Sequence, residues 1–407
     1  MSVAVEIFSQ GEEIITGQTV DTNSAWLSEQ LVVMGFKVTR HTAVGDDLND
    51  LTTLLQEISQ RADCCICTGG LGPTIDDLTA EAVAKAFSLT LEFDPVAFDQ
   101  IQAYFERRNR PMPASNRKQA MLPQGALRIE NHWGTAPGFA LQHRGCWFAF
   151  VPGVPSEMRQ LFNATIKPYL QQHYVVQPSH LITLKTIGIG ESALQELIGG
   201  IALPAGVLLG FRAGIEDVQT KLLFPYAFPQ AEKVALVEQF SAAIGDCVFA
   251  IDGLENPAGD LVAVIAQHLN ATKQTLAVIE TVSQGLIAAK CVAQPWLLQS
   301  HYQNSLGHLA AQHGLTLNTA DLRDTALQLA QVLRQQSGAD FALVQLHAAD
   351  ASQLNTQNQS IVLYNALATE QGVFPQTLSV SGDLKRKQNQ AALMALDLLR
   401  RFLQNKL

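Results

Sequence analysis

The sequence predicts an α/β protein with a doubly wound, mostly parallel sheet, followed by a small α+β domain and a C-terminal α/β domain. In the first part, short apolar runs alternate with segments of helical periodicity, which is typical of a parallel sheet covered on both faces. Between residues 177 and 253 the order changes to strand, short helix, hairpin and helix. A chain of 407 residues also exceeds a single hydrophobic core. We therefore predict domains at residues 1–176, 177–253 and 254–407.

The elements of the first domain follow from apolar runs and helical spacing. Strands are predicted at Val3–Phe8, Phe36–Val44, Cys64–Cys67 and Trp147–Val151. Helices are predicted from about Asn23 to Gly35, over Asn49–Arg61, from Thr74 through Ala86, over Val96–Arg108 and over Pro155–Leu170. Cys64, Cys65 and Cys67 lie within a strand, so we expect them to pack as small apolar side chains.

The later regions carry weaker signals. Residues 181–200 predict a strand, a glycine turn and a short helix, residues 207–224 a hairpin, and residues 231–245 another helix. In the third region, helices are predicted at Ala258–Asn270 and Gln388–Gln404, with a strand at Thr275–Ile279. The polar stretch Asp350–Ser360 is expected to be a loop.

Composition and charge exclude several classes of protein. Hydrophobic residues make up 47% of the chain and charged residues 16%, which describes a globular protein. A net charge of −10 argues against nucleic acid as a partner. The sequence contains no apolar run of the roughly 18 residues needed to cross a bilayer, so we expect a cytoplasmic protein that does not contact a membrane.

The stretch "CTGGLGPTIDDL" is the best candidate site, because a buried strand delivers the chain to a glycine turn. Gly69, Gly70 and Gly72 allow a ligand to approach the backbone, and Thr74 is placed to cap a helix. Ligands of doubly wound sheets bind at this carboxyl edge of the strands. The stretch is neither a dinucleotide fingerprint nor a phosphate-binding Walker loop.

Asp76 and Asp77 would repel a phosphate at this turn. Thr74 and Asp77 resemble a capping box, which explains one carboxylate without any ligand. Two carboxylates about 4 Å apart repel by roughly 4 kcal/mol at an effective dielectric constant near 20. A divalent cation between carboxylate and phosphate would remove that repulsion. We therefore expect Asp76 and Asp77 to act in catalysis or metal binding.

Further candidates follow other predicted strands. Glu13 and Asp21 are expected to complete the metal site with Asp76 and Asp77, although Asp21 is equally suited to capping the next helix. Arg117 and Lys118 would neutralise a phosphate, or simply face solvent. The remaining predicted substrate-binding residues are Asn23, Asn116, Gly134, Thr135, Gly153 and Ser156.

The segments "GEEIITGQTVDTNSAWL", "TGGLGPTIDDLTAEAVAKAF", "SNRKQAMLP", "GTAPGF" and "FVPGVPSEM" together resemble the competence/damage-inducible CinA family. The resemblance implies a molybdopterin-binding-like domain that hydrolyses ADP-ribose to AMP and ribose 5-phosphate. It also implies a divalent cation, Mg²⁺, Mn²⁺ or Co²⁺, as cofactor. The middle region resembles the KH-like domain of the family. Its "GIGESALQELIGG" loop is neutral to acidic, so we expect a structural module in a homodimer.

The C-terminal region resembles a nicotinamide-nucleotide amidase whose motif has degenerated. Glu280 and Gly285 match the family's A-E-S-C-T-G-G signature, but Thr281, Val282 and Gln284 replace its serine, cysteine and first glycine. A hydroxyl of Thr281 or Ser283 would need a base and oxyanion donors, and neither is recognisable. We therefore expect this domain to be inactive. Lys385, Arg386 and Lys387 either begin a solvated helix or contact a nucleotide.

Two other functions remain open at this stage. The first domain could bind molybdopterin and transfer an adenylyl group to it. Alternatively, the chain could be a non-catalytic nucleotide-binding scaffold.

Overall fold

The computed structural model describes residues 3–254, 259–315 and 321–407. The chain divides into two compact units, Met1–Ser179 and His180–Leu407. The second unit contains two separate sheets, one of four strands and one of five.

The first unit alternates strands and helices through most of its length. Its strands are β1 (Ala4–Gln10), β2 (Lys37–Val44), β3 (Cys64–Thr68), β4 (Leu91–Phe93), β5 (Met121–Pro123), β6 (Leu127–Ile129), β7 (Gly138–His143) and β8 (Cys146–Val151). Its helices are α1 (Glu12–Ile15), α2 (Thr22–Val33), α3 (Leu48–Arg61), α4 (Thr79–Phe87), α5 (Pro95–Glu106), α6 (Pro155–Leu161) and α7 (Lys167–His173). A 3₁₀ helix spans Ala114–Ala120, and a π-helical turn, Phe162–Ile166, joins α6 to α7.

The main sheet of this unit has the strand order β2-β1-β3-β8-β7-β6. The first four of these strands pair in parallel, which confirms the predicted parallel sheet. β6 and β7 add an antiparallel edge that the sequence analysis did not predict. The sheet is covered on both faces, with Val5, Ile7 and Ile66 in one core and Phe8 and Cys65 in the other. The buried central strands therefore read as continuous apolar runs.

Cys64, Cys65 and Cys67 are buried in β3, so the prediction that they pack as apolar side chains is confirmed. Their burial raises the pKa of all three thiols. A buried thiol that stays protonated is neither a good metal ligand nor a nucleophile.

The helix after the glycine turn begins five residues later than predicted. α4 starts at Thr79, so Thr74 does not cap it. Gly69 and Gly70 have φ values of 105° and 64°, and the chain continues as a turn through Leu78. Asn116, Arg117 and Lys118 lie in the 3₁₀ helix. The predicted helix over Pro155–Leu170 is interrupted by the π-helical turn.

The second unit begins with a four-stranded antiparallel sheet of order β10-β11-β9-β12. Its strands are β9 (His180–Thr186), β10 (Leu208–Ala213), β11 (Val218–Phe224) and β12 (Val248–Asp252). Helices α8 (Glu191–Ile198) and α9 (Gln230–Ile244) accompany it, and a 3₁₀ turn, Gly245–Cys247, follows α9. The predicted β10–β11 hairpin is confirmed.

A five-stranded mixed sheet of order β14-β13-β15-β16-β17 completes the second unit. Its strands are β13 (Leu276–Glu280), β14 (Leu297–Tyr302), β15 (Phe341–His347), β16 (Ile361–Thr369) and β17 (Gly372–Val380). The helices are α10 (Leu261–Thr272), α11 (Leu286–Lys290), α12 (Leu306–Gln312), α13 (Leu322–Ser337), α14 (Ala351–Asn355) and α15 (Leu384–Leu403). Ala258, where we predicted the first of these helices to begin, lies outside the described residues.

Two predictions about this region were wrong. The stretch Asp350–Ser360 contains the short helix α14, because Asp350 and Gln353 form a capping box. Lys387 is fully buried, so it belongs neither to a solvated surface nor to a nucleotide contact. Its ammonium group donates to three backbone carbonyls, those of Gln353, Leu354 and Thr356.

Among the described residues, no helix is both long and apolar enough to span a bilayer.

Candidate active site

A cleft of about 490 Å³ opens at the carboxyl edge of the first unit's sheet. The ends of three parallel strands contribute to its wall through Gln10, Thr68 and Pro152. Its volume lies within the range of roughly 300–1,000 Å³ typical of small-molecule sites. The predicted residues that line it are Glu13, Asp21, Asn23, Gly69, Gly70, Gly72, Asp76, Asp77, Thr135 and Gly153.

The glycine turn is held in place by the end of β1. A Cβ atom on Gly69 would collide with the carbonyl oxygen of Gln10, and one on Gly70 would collide with the Gln10 side chain. The Gln10 amide also donates to Asp46 Oδ1 at 2.8 Å, and Thr79 donates its hydroxyl hydrogen to Gln10 Oε1. These contacts require glycine at both positions and fix the turn against the sheet.

Asp76 and Asp77 have different surroundings. Asp77 Oδ2 accepts hydrogen bonds from the backbone N–H of Thr74, at 2.8 Å, and from the Thr74 hydroxyl. The Thr74 side chain and, more weakly, the Lys118 ammonium lower the pKa of Asp76, which is fully exposed. Asp77 therefore closes the turn, whereas the Asp76 carboxylate stays ionised and accessible to a cation.

Asp21 acts as the cap of α2, as one of the two interpretations held. Its carboxylate accepts from the backbone N–H of Ser24 at 2.9 Å and from the Ser24 hydroxyl at 2.6 Å. Burial opposes ionisation of Asp21, but these hydrogen bonds outweigh it and lower the pKa of the carboxyl group. Both oxygens are thus engaged before any metal binds. In the part of the chain that the structure describes, no three His, Cys, Asp or Glu side chains are gathered as a metal site.

The cleft also contains polar residues that sequence reasoning missed. They are Gln10, Asp46, Gln119 and Glu157. Asp46 follows the end of β2, so the rule that ligands bind at carboxyl strand ends could have found it. Glu157 Oε2 accepts from the Asn131 amide at 2.7 Å, a contact between segments far apart in sequence.

Several predicted residues do not line the cleft. They are Thr74, Asn116, Arg117, Lys118, Gly134 and Ser156. The Arg117 guanidinium stacks on the Phe93 ring at 4.1 Å, and the Lys118 ammonium donates to the Thr74 carbonyl at 3.0 Å. The Asn116 amide donates to Gln119, and the N–H of Gly134 donates to Asn131. The basic residues that we expected at the site are therefore absent from the described lining of the cleft.

The charge of the cleft is strongly one-sided. Six carboxylates contribute to its described lining, which contains no lysine or arginine: Glu13, Asp21, Asp46, Asp76, Asp77 and Glu157. These carboxylates repel a phosphate, and a bound cation would offset their charge.

The second unit contains another cavity, of about 380 Å³, beside β15 and α14. His347 lines it, and the His347 Nδ1 lies 2.8 Å from the hydroxyl oxygen of Thr281. We expected no base near Thr281, and that expectation was wrong. Burial lowers the pKa of His347, so the imidazole is neutral at pH 7. The Thr281 side chain is itself only 1% exposed and does not line the cavity.

A buried carboxylate organises the turn between β13 and α11. Glu280 accepts hydrogen bonds from the hydroxyls of Ser283 and Ser300 and from the backbone N–H of Ile287. Gln284, which replaces the first glycine of the resembled signature, has a left-handed φ of 53° and lines the cavity. The backbone of the turn thus keeps a glycine-like conformation without the glycine.

The chain combines an N-terminal domain, with an acidic cleft at the carboxyl edge of its parallel sheet, and a C-terminal α/β domain. Residues 6–172 match the model of a probable molybdopterin binding domain, and residues 259–403 match the CinA C-terminal domain. The chain is 34% identical to a CinA-like protein of Shewanella sp. (strain ANA-3), with 98% of this chain and 95% of the relative covered. The chain belongs to the CinA family.

Two further similarities show how the relatives are named. A protein of Shewanella oneidensis named nicotinamide-nucleotide amidohydrolase PncC is 34% identical, covering 98% of this chain and 96% of that protein. The crystal structure of the protein CinA from Thermoplasma acidophilum is 33% identical, covers 41% of this chain and 98% of that chain, and has a TM-score of 0.39.

Proposed function

We propose that the N-terminal domain is a metal-dependent pyrophosphatase that hydrolyses ADP-ribose to AMP and ribose 5-phosphate. The observation that supports it is the cleft whose described lining combines a glycine turn and six carboxylates with no lysine or arginine. A doubly charged pyrophosphate would be repelled from such a cleft unless divalent cations entered with it. The substrate itself comes from the resemblance to the CinA family.

The residues present fit a hard cation such as Mg²⁺, Mn²⁺ or Co²⁺, because carboxylate oxygens are its preferred ligands. Asp76 is the first candidate ligand, since its exposed carboxylate has a lowered pKa. Glu13 also lines the cleft and would share the cation with Asp76. Such a cation polarises a phosphoryl oxygen and increases the acidity of water. Asp46 and Asp77 hold the surrounding backbone, through Glu12 and Thr74 respectively.

The turn itself would position the phosphates. Gly69, Gly70 and Gly153 present backbone with no side chain to the cleft, so a phosphate can approach the main chain closely. Gly153 is next to Gly69, since a Cβ on Gly153 would lie 3.5 Å from Gly69 Cα. The two glycine segments therefore form one continuous wall.

The test is an assay of the purified full chain with ADP-ribose, separately with Mg²⁺, Mn²⁺ and Co²⁺, and with a chelator. We expect AMP and ribose 5-phosphate in equal amounts with at least one metal and none with the chelator. Turnover that persists in the chelator contradicts metal dependence. Binding of molybdopterin without ADP-ribose turnover would instead support adenylyl transfer, and tight ADP-ribose binding without products would support a scaffold.

We also propose that the C-terminal domain does not deamidate nicotinamide mononucleotide. The Thr281 hydroxyl is buried, and the described lining of its neighbouring cavity has no lysine or arginine to bind a phosphate. Two observations favour activity instead. A hydroxyl beside a neutral imidazole, as in the contact between Thr281 and His347, is a nucleophile–base arrangement. A relative that is 34% identical to this chain is named a nicotinamide-nucleotide amidohydrolase.

Ammonia release from nicotinamide mononucleotide decides between these two possibilities. We expect no release above the rate without protein. If ammonia is released and the release is abolished by Thr281→Val and by His347→Gln, the domain is an active amidase that uses this pair.

A further inference from the structure

Asn23 lies at the base of the cleft with its side chain held in one orientation. Its side-chain amide donates to the carbonyl oxygen of Gly153 at 2.8 Å and to the Thr68 hydroxyl at 3.0 Å. The Thr68 hydroxyl in turn donates to the carbonyl oxygen of Pro152 at 3.1 Å, so it can only accept from Asn23. Since carbonyl oxygens do not donate, the nitrogen of Asn23 must face Gly153 and Thr68. The position of the Asn23 oxygen is thereby fixed.

The Asn23 oxygen is left without a hydrogen bond. Asn23 is only 8% exposed, and among the residues that the structure describes its Oδ1 atom has no donor. A buried acceptor without a partner is costly, and such atoms often mark places where a ligand binds. Asn23 lines the cleft with its oxygen just below the surface, so a small displacement of the covering atoms would bring this acceptor within reach of a bound ligand.

The surroundings of Asn23 favour a neutral donor over a cation. Asn23 is the second residue of α2, a helix of 12 residues, and the positive end of the helix dipole disfavours a cation there. The neighbouring Asp21 carboxylate already accepts from the backbone and the hydroxyl of Ser24. ADP-ribose offers two kinds of neutral donor, the hydroxyl groups of its riboses and the amino group of adenine. Asn23 is bonded to Gly153, in the glycine wall proposed to bind the phosphates, and the groups that adjoin the pyrophosphate are the riboses.

We propose that Asn23 Oδ1 accepts a hydrogen bond from a ribose hydroxyl of the substrate, which makes Asn23 a specificity-determining residue of the cleft. This inference rests on the proposed function of the N-terminal domain. It places a sugar where Gly153 meets Asn23, and leaves the Gly69–Gly70 part of the same wall, towards Asp76, for the phosphates and the cation.

The test compares ADP-ribose with analogues that each lack one ribose hydroxyl. In the unaltered protein, one analogue is expected to lose about 10- to 100-fold in kcat/KM, because its binding leaves the buried oxygen unpaired. In Asn23→Ala the acceptor is gone, so we expect kcat/KM to fall no further for this analogue than for ADP-ribose. Asn49→Ala, an exposed change on α3, is the matched control and is expected to keep the preference of the unaltered protein.

The outcomes separate this inference from the proposed function. Turnover of ADP-ribose with equal kcat/KM for every analogue overturns the role of Asn23 and leaves the pyrophosphatase standing. Asn23→Ala could instead need a metal concentration tenfold or more higher, with the hydroxyl preference unchanged. That result assigns Asn23 to the cation and also overturns its role with the ribose. If ADP-ribose binds but is not cleaved, calorimetric titration of the unaltered protein with the same analogues tests the role of Asn23. Failure of ADP-ribose to bind at all removes both proposals.

Discussion

The Asp77 carboxylate accepts a hydrogen bond from the backbone N–H of Thr74, three residues earlier, at 2.8 Å. The Thr74 hydroxyl donates to the same carboxylate oxygen. Asp77 therefore closes a turn rather than capping a helix, and α4 begins only at Thr79. The adjacent Asp76 carboxylate is fully exposed and keeps a lowered pKa. The two neighbouring aspartates thus differ in their surroundings, since Asp77 is bonded within the turn and Asp76 is exposed.

We expect Asp76→Asn to abolish most ADP-ribose hydrolysis. A metal ligand contributes several kcal/mol to the transition state, and each 1.4 kcal/mol is about tenfold in rate, so the loss should be about 100-fold or more. Asp77→Asn keeps one acceptor oxygen for Thr74 and should lose less, about 10-fold. The measurement is kcat/KM with saturating metal. Asp99→Asn, on the exposed face of α5, is the control, and equal losses for Asp76 and Asp77 would contradict separate tasks.

The glycines of the cleft are expected to differ in their tolerance of alanine. Gly69→Ala should lower the free energy of unfolding by about 1–3 kcal/mol, because φ is 105° there and the new Cβ meets the Gln10 carbonyl. Gly153→Ala should leave stability within about 0.5 kcal/mol but weaken ADP-ribose binding. Thermal unfolding and calorimetric titration measure the two effects. A stable Gly69→Ala protein would show that the turn is not constrained as described.

Lys387 is expected to stabilise the segment around α14. Its buried ammonium group donates to the carbonyls of Gln353, Leu354 and Thr356, at 2.7 to 3.0 Å. Lys387→Met leaves these carbonyls without that donor and should lower the free energy of unfolding by about 2–3 kcal/mol. Lys385→Met, an exposed change two residues earlier, should stay within about 0.5 kcal/mol. Urea unfolding of both variants provides the comparison, and similar midpoints would refute the role.

The pH dependence of stability should report on His347. Burial lowers the pKa of this imidazole below its ordinary value of 6.5, so the unfolded chain binds a proton more readily than the native one. The contribution of neutral His347 to the free energy of unfolding is therefore fully present above pH 6.5. It decreases as the pH falls below 6.5, by at most about 1.4 kcal/mol per pH unit. His347→Gln should reduce the loss between pH 7.5 and pH 5.5 in urea unfolding. His132→Gln, at an exposed histidine, should not change it.

Much of the fold could be predicted because it depends on local patterns. The alternation of β1, α2, β2, α3 and β3 follows from apolar periods that the segments carry themselves. The edge strands β6 and β7 could not be predicted so easily, since β6 has only three residues and its pairing with β7 decides its conformation. The 3₁₀ helix at Ala114–Ala120 likewise lacks a strong period.

The candidate site divides in the same way. Strand ends and glycine turns identified Glu13, Asn23, Gly69, Asp76 and Gly153 correctly as cleft residues, because the carboxyl edge of a parallel sheet collects them. Of the two interpretations of Arg117 and Lys118, the phosphate contact finds no support in the lining of the cleft, whereas Arg117 is exposed, as the other interpretation held. The Arg117 side chain stacks on the Phe93 ring, and the Lys118 side chain donates to the Thr74 carbonyl. Both partners lie outside the 3₁₀ helix and become neighbours only in the folded chain.

The sequence by itself determined a parallel sheet with a glycine turn and two aspartates at its carboxyl edge, since strand period and glycine position are local properties. Only the tertiary structure decided what these groups face. It brought Asp46 to Gln10 and Gly153 to Asn23, and it turned the basic side chains of the nearby 3₁₀ helix away from the cleft. Side-chain direction depends on contacts between residues distant in sequence, and those contacts exist only after the sheet has formed.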